Sequence, residues 1–295
     1  MRKTIFSFAI VLTLFLSGCI DQGTVVCGDE GLVIDDYQVN PIEKLYPGYT
    51  TTITFWLENK GERDAENVVV DFFDLQGFEI VDITCQGGSI SGNGCIIPKI
   101  ETYERCWGDR KKVSVTLKVP DIKDIFSSST VSFSVSYKYS GSSSTTFPIY
   151  KTSYFSEKVG KKMSTKTSGP IEFQIKPDFL LKKIEKGKEE QVTEWLEEGQ
   201  RFSVQILIIP TKNQNKGDFV KIDDYHVSYE YVKPLGVCEF NDPNIKIEYP
   251  MKEPLKCDMM ANENINQDWV SGRISVDYSY TYTTIIKQDF NIEKT

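Results

Sequence analysis

Phe133-Ser134-Val135-Ser136-Tyr137-Lys138-Tyr139 alternates apolar and polar residues without a break, and Ile274-Ser275-Val276-Asp277-Tyr278-Ser279-Tyr280 does the same late in the chain. A period of two sends successive side chains to opposite faces of an extended backbone, so each heptapeptide reads as a β-strand with one apolar face. Their position-by-position match also reveals a degenerate internal repeat. Working outward, Gly48 is followed by Ile53, Phe55 and Leu57, and Gly199 is followed at the same offsets by Val204, Ile206 and Ile208. The same turn and strand have been used twice.

Most other segments with a clear period are strands too: Val68-Val69-Val70, Val113 to Val119, Phe219 to Ile222 and Tyr225 to Tyr231. Short alternating runs separated by Gly, Asn, Asp and Ser define an all-β chain, and the repeat predicts two tandem immunoglobulin-like β-sandwich domains over 32–150 and 171–295. Residues 151–170, locally basic and rich in Ser, Thr, Lys and Gly, are expected to link them. The run Ser140 to Thr146 reads as a flexible hairpin tip that could carry O-linked glycans. Helical spacing shows only at Val192, Trp195 and Leu196, enough for a short helix at most.

The N-terminus carries Arg2 and Lys3, then an apolar run from Ile5 to Leu16, and then Leu16-Ser17-Gly18-Cys19. A positive n-region, an apolar stretch too short to span a bilayer comfortably and small residues at the end make residues 1–18 an export signal. The tetrapeptide 16–19 resembles the lipobox of exported lipoproteins. That resemblance implies cleavage before Cys19, lipidation of its thiol, and a tether over 19–31 that holds the protein on the outer face of the cell membrane. Several buried acyl or isoprenoid carbons hold a protein stably there, whereas one short chain is marginal.

Composition agrees with that address. The full chain carries a formal charge of −8, and losing Arg2 and Lys3 leaves 32 basic against 42 acidic residues, a net of −10. Such a surface disfavours nucleic acid and anionic headgroups, which need clustered cations. Of seven cysteines, Cys19 is the lipid site and six remain, an even number suited to disulfides outside the cytoplasm. No Asn-X-Ser/Thr acceptor occurs.

Tyr46-Pro47-Gly48, then Ile53 to Leu57 running into Asn59-Lys60-Gly61, then Ala65-Glu66-Asn67-Val68-Val69-Val70 resemble the CARDB-type and related S-layer-associated immunoglobulin-like domains of bacterial and archaeal cell-surface proteins. The match covers about 35 residues. Asn-Lys-Gly supplies a tight turn with positive φ between alternating strands. The second half departs from the pattern, reading Pro210-Thr211-Lys212 at the Asn-x-Gly position. The family implies adhesion, scaffolding or spacing at a cell envelope, with no catalytic residues and no cofactor.

Cys238 and Cys257 stand alone in the second half and are expected to pair. The repeat then joins Cys85 to Cys106 and leaves Cys27 for Cys95; the alternative joins Cys85 to Cys95 and Cys27 to Cys106, with Gln86 to Gly94 as a glycine-rich hairpin. No Cys-x-x-Cys spacing supports zinc. His226, after Asp223-Asp224, invites a catalytic or metal reading, but it sits in an alternating strand where an exposed histidine is ordinary. No Gly-x-Ser-x-Gly elbow accompanies it. The acidic pairs Asp29-Glu30, Asp35-Asp36 and Asp223-Asp224 lack the calcium-loop pattern and read as solvated turns. Tyr137, Tyr139, Tyr278 and Tyr280 could stack on sugars but share a face with apolar neighbours, which predicts a place in the core.

The sequence therefore predicts a non-enzymatic, membrane-anchored surface lipoprotein whose partner is an envelope protein or glycan. A lipoprotein presenting a solute or peptide to a membrane partner is the main alternative, and an exported carboxylate hydrolase the third.

Overall fold

The structure is a computed structural model that describes residues 30–42, 44–103, 108–121, 126–151, 162–178, 195–211, 218–236, 238–241, 251 and 253–293. The expected export signal over 1–18, Cys19, Cys27, Cys106, Asp29 and Val192 lie outside the described residues. Strands are numbered in chain order. One four-stranded sheet has the order β1 (Leu32–Asn40), β2 (Thr50–Asn59), β7 (Arg110–Lys118), β4 (Glu79–Cys85). A second has the order β10 (Ile171–Asp178), β12 (Arg201–Pro210), β15 (Leu255–Ala261), β14 (Val232–Pro234). The third, eight-stranded, runs β13 (Phe219–Glu230), β16 (Trp269–Glu293), β8 (Phe126–Tyr150), β3 (Ala65–Asp74), β6 (Gly94–Ile100), β5 (Ser89–Ser91), with β9 (Met163–Lys166) and β11 (Leu196–Glu197) also on β8. Among the described residues the helical element is one 3-10 turn, Glu239–Asn241. The chain is all-β, as its periodicity predicts.

Alternation dictates the packing. In β2, Ile53, Phe55 and Leu57 are fully buried while the residues between them are not, and β12 repeats the pattern with Val204, Ile206 and Ile208. The β1 sheet covers one end of the eight-stranded sheet, where Phe55 stacks on Phe133 with ring centroids 5.1 Å apart. The β10 sheet covers the other end, where Phe173 stacks on Tyr278 at 4.3 Å and Phe202 meets Phe147 edge-on at 5.8 Å. Two sandwich layers result, and each buried aromatic contributes about 2 kcal/mol or more by leaving water.

What joins them is a ribbon. β8 and β16 are both 25 residues long and pair antiparallel along their whole length, from Phe126↔Glu293 to Tyr150↔Trp269. At about 3.3 Å per residue this ribbon is about 80 Å long. The N-terminal part of β8 lies in the first sandwich and its C-terminal part in the second; β16 does the reverse. Each sandwich thus borrows a strand from the other half of the chain. Tyr139 and Tyr280, repeat equivalents in sequence, are direct partners in this pairing. The repeat is therefore expressed as a local two-fold axis at the centre of the ribbon.

Three expectations are corrected here. Ser140 to Thr146 is not a hairpin tip but the middle of β8, with Ser143 and Thr145 buried. Its hydroxyls find partners in β9: Ser144 Oγ lies 2.8 Å from Thr165 Oγ1, and Thr145 Oγ1 lies 3.1 Å from Ser164 Oγ. The piece expected to contain a short helix contributes Leu196 and Glu197 as β11, parallel to β8. Met163–Lys166, inside the segment expected to act as a linker, is a strand of the large sheet.

The cysteines also differ from the repeat-based expectation. Cys238 pairs with Cys257, but Cys85 pairs with Cys95 and not with Cys106. The reason is geometric. The β5–β6 hairpin folds beneath β4, so the bond crosses the sandwich from β4 to β6 over a Cα separation of 6.4 Å.

Candidate functional site

The waist between the sandwiches concentrates the unusual chemistry. Its interior is a tyrosine cluster built from the matched heptapeptides: Tyr139 and Tyr280 rings lie 5.8 Å apart, Tyr278 and Tyr280 6.1 Å, Tyr137 and Tyr282 5.6 Å. All five are buried, as their shared face with Val135 and Val276 predicts, so none offers an open platform for a sugar. Burial pushes the Tyr139 and Tyr278 hydroxyls up to about 12. The same desolvation raises Tyr137 and Tyr280 further. They stay neutral hydrogen-bonding groups through the physiological range.

Those hydroxyls tie distant parts of the chain together. Tyr139 Oη accepts from the Arg63 amide at 3.0 Å and donates to the Ser168 carbonyl at 2.9 Å. Glu62 accepts from the Ser168 amide at 2.9 Å and from its hydroxyl at 3.2 Å. Tyr137 Oη accepts from the Leu32 amide at 3.3 Å. Glycine makes room for the rings: a Cβ on Gly61 would lie 2.0 Å from Tyr139 Oη, and one on Gly141 would lie 2.7 Å from the Tyr278 ring.

Outside the cluster, the waist carries an open groove of about 410 Å³ lined by Arg63, Ser140, Ser142, Asp224, His226 and Asp277. His226 is exposed on β13 directly opposite Asp277, the placement expected of a surface strand. No three metal-ligating side chains converge among the described residues. A second groove, about 420 Å³, opens between β9 and β10. Lys162, Lys166, Lys176, Glu172 and the hydroxyls of Ser164 and Thr165 line it. Lys166 and Glu172 form an ion pair within it.

The acidic pairs are occupied by neighbours. Arg110 Nη2 lies 2.7 Å from Asp36 and 3.1 Å from Asp35, and its guanidinium sits 5.0 Å over the Trp56 ring. Asp223 accepts from Thr281 Oγ1 at 2.7 Å. Sequence reasoning missed Arg110, Glu62 and Ser168; no local pattern marks them, because each acts on a residue far along the chain. It also missed the lysine-bearing groove, whose two walls come together only through the pairing of β9 with β8.

No protein-family model matches the sequence, and no curated protein does. Among solved structures, the collagen binding domain of Erysipelothrix rhusiopathiae surface protein RspB aligns at 11% identity over 90% of this chain and 94% of that one, with a TM-score of 0.18. The C-terminal domain of the Streptococcus agalactiae AgI/II polypeptide BspA aligns at 9% identity over 85% of this chain and 94% of that one, with a TM-score of 0.17. Superpositions this loose carry no functional weight.

Proposed function

We propose that the chain is an exported surface lipoprotein, tethered through lipid on Cys19, that acts by binding and spacing at the cell envelope rather than by catalysis. The observation that carries this reading is the β8–β16 ribbon, paired without interruption through both sandwiches. A long element pinned to a covering sheet at each end, with an inter-sheet disulfide at Cys85–Cys95, is suited to holding surfaces at a fixed separation. The Leu16 to Cys19 pattern supports the tether, and the acidic mature chain suits an exposed location.

The test has two parts. Cys19→Ser is expected to move the protein out of the membrane fraction; a variant that stays there overturns the lipid tether. In-cell crosslinking of the anchored protein is expected to capture surface-layer or other envelope proteins. The groove between β9 and β10, with three lysines in an acidic chain, favours as a second reading the presentation of an anionic solute. Capture of a transporter or receptor subunit in the same experiment would replace the spacer reading with that one.

A further inference from the structure

The groove between β9 and β10 carries more chemistry than a sheet edge requires. Lys162 and, in β9, Ser164 and Lys166 fall at every second position along one wall, and Glu172, Gln174 and Lys176 do so along β10. A period of two turns each set to one side of its strand. β8 supplies the base, where buried Ser143 is the register partner of Lys166 and buried Thr145 that of Ser164. Three lysines against one glutamate give the groove a local charge of +2 in a chain whose formal charge is −8. Lysines on an edge strand ordinarily keep other strands from pairing there. Ser143 goes beyond that role. It is 4% exposed, and its Oγ stands beside Tyr278 Oη without a bond of proper geometry, so both hydroxyls are buried with no partner among the described residues. A buried hydroxyl without a partner weakens the fold, and a ligand group reaching it would remove that cost.

We propose that this groove binds a uronic acid, with the sugar carboxylate on the lysines and the sugar hydroxyls on Ser143, Gln174 and Glu172. The inference rests on the envelope-binding reading above and names its ligand class. The lysines call for an anion. A carboxylate offers about four acceptor positions, more than the Lys166 ammonium fills, so Glu172 calls for hydrogen-bond donors. Inorganic phosphate brings little besides acceptors and is repelled by Glu172, and a neutral sugar brings donors but leaves the lysines unmatched. A sugar acid carries both kinds of group on one ring. The groove volume of about 420 Å³ falls within the range of about 300–1,000 Å³ typical of small-ligand sites.

This gives the polar stretches of β8 and β9 a role beyond pairing. Hydroxyls and lysines that would dilute an apolar core are the groups a saccharide needs. A chain of uronic-acid units in the groove makes the protein an adhesin for an acidic envelope polysaccharide; a free sugar acid there makes it the presenter of an anionic solute.

Calorimetric titration of the full chain with trigalacturonate tests the site, with maltotriose and inorganic phosphate as controls. Trigalacturonate is expected to bind at least about tenfold more tightly than either, and to weaken as salt is raised. Lys162→Gln combined with Lys176→Gln is expected to weaken it about tenfold. Ser143→Ala is expected to weaken it about fivefold and to leave the urea midpoint unchanged, since that hydroxyl makes no well-formed bond in the free protein. Tighter binding of trigalacturonate than of galacturonate assigns the groove to a polymer chain, and equal binding assigns it to a free sugar acid. Phosphate or maltotriose binding as tightly as the trisaccharide overturns the proposal, as does no binding or insensitivity to all three substitutions. The titration involves neither Cys19 nor the envelope, so its failure leaves the spacer reading standing, and a failure of the spacer reading leaves this result standing.

Discussion

Replacing Gly61 by alanine tests whether the waist is held by close packing of glycine against tyrosine. The added Cβ would stand 2.0 Å from Tyr139 Oη, 2.9 Å from its Cζ and 3.1 Å from the Gly31 Cα, so the ring must move. Overpacking of this kind costs about 1–3 kcal/mol. Moving the hydroxyl also breaks its bonds to Arg63 and Ser168, about 1 kcal/mol each. A gain of about 0.5 kcal/mol from the stiffer unfolded chain offsets little of this. The expected loss is about 3 kcal/mol. Tyr139→Phe removes the same two hydrogen bonds and the atom that clashes first, at a cost of about 2 kcal/mol. The double variant should then fall short of the sum by about 1–2 kcal/mol, because the bonds are lost only once. Urea unfolding of the Cys19→Ser chain, followed by tryptophan fluorescence, measures all three. A Gly61→Ala loss under about 0.5 kcal/mol, or strict additivity, would refute the reasoning.

Alkaline pH should unfold the protein through the same cluster. Between pH 10 and about 12 the unfolded chain releases the Tyr139 and Tyr278 protons while the folded chain keeps them. Their contribution is intact below pH 10 and falls by about 1.4 kcal/mol per pH unit for each above it. Tyrosinate absorbance and far-ultraviolet circular dichroism should change together; tyrosinate forming fully near pH 10 with the dichroism intact would contradict the burial. Cys85→Ser should cost about 3 kcal/mol, and Cys238→Ser a similar amount, since they open loops of 10 and 19 residues. Urea midpoints in the oxidised state check both, and non-reducing peptide maps should recover Cys85 linked to Cys95.

Strands with a clean apolar face were legible: β2, β7 and β12 lie where the alternation puts them, and the tyrosines of the matched heptapeptides are buried. The extension of β8 through Ser140 to Thr146 was not, because Ser and Gly carry no strand preference and an all-hydroxyl run has no apolar period. Only its pairing with β16 and β9 makes it a strand. Met163–Lys166 was hidden for the same reason: polar, short and defined by what it pairs with. The cysteine pairing went astray because the repeat preserves strands better than loops, and the β5–β6 hairpin brings Cys95 under β4 by a fold the second half does not share. Glu62, Ser168 and Arg110 leave no trace in the sequence, since their partners are distant along the chain.

The exchange of β8 and β16 between the sandwiches also sets the order in which the chain can become a protein. The first sandwich lacks one of its strands until Glu293, 167 residues further along, has paired with Phe126. Contacts so distant along the chain close slowly, because loop entropy is lost before they repay it. On the export route proposed above, a chain emerging N-terminus first therefore cannot finish its first sandwich until the C-terminal part of β16 has followed. Until residues 284–293 have followed, the apolar faces of β2 and β7 depend on whatever protects unfolded chains along that route. Truncation near the C-terminus should then harm the half of the molecule that was synthesised first.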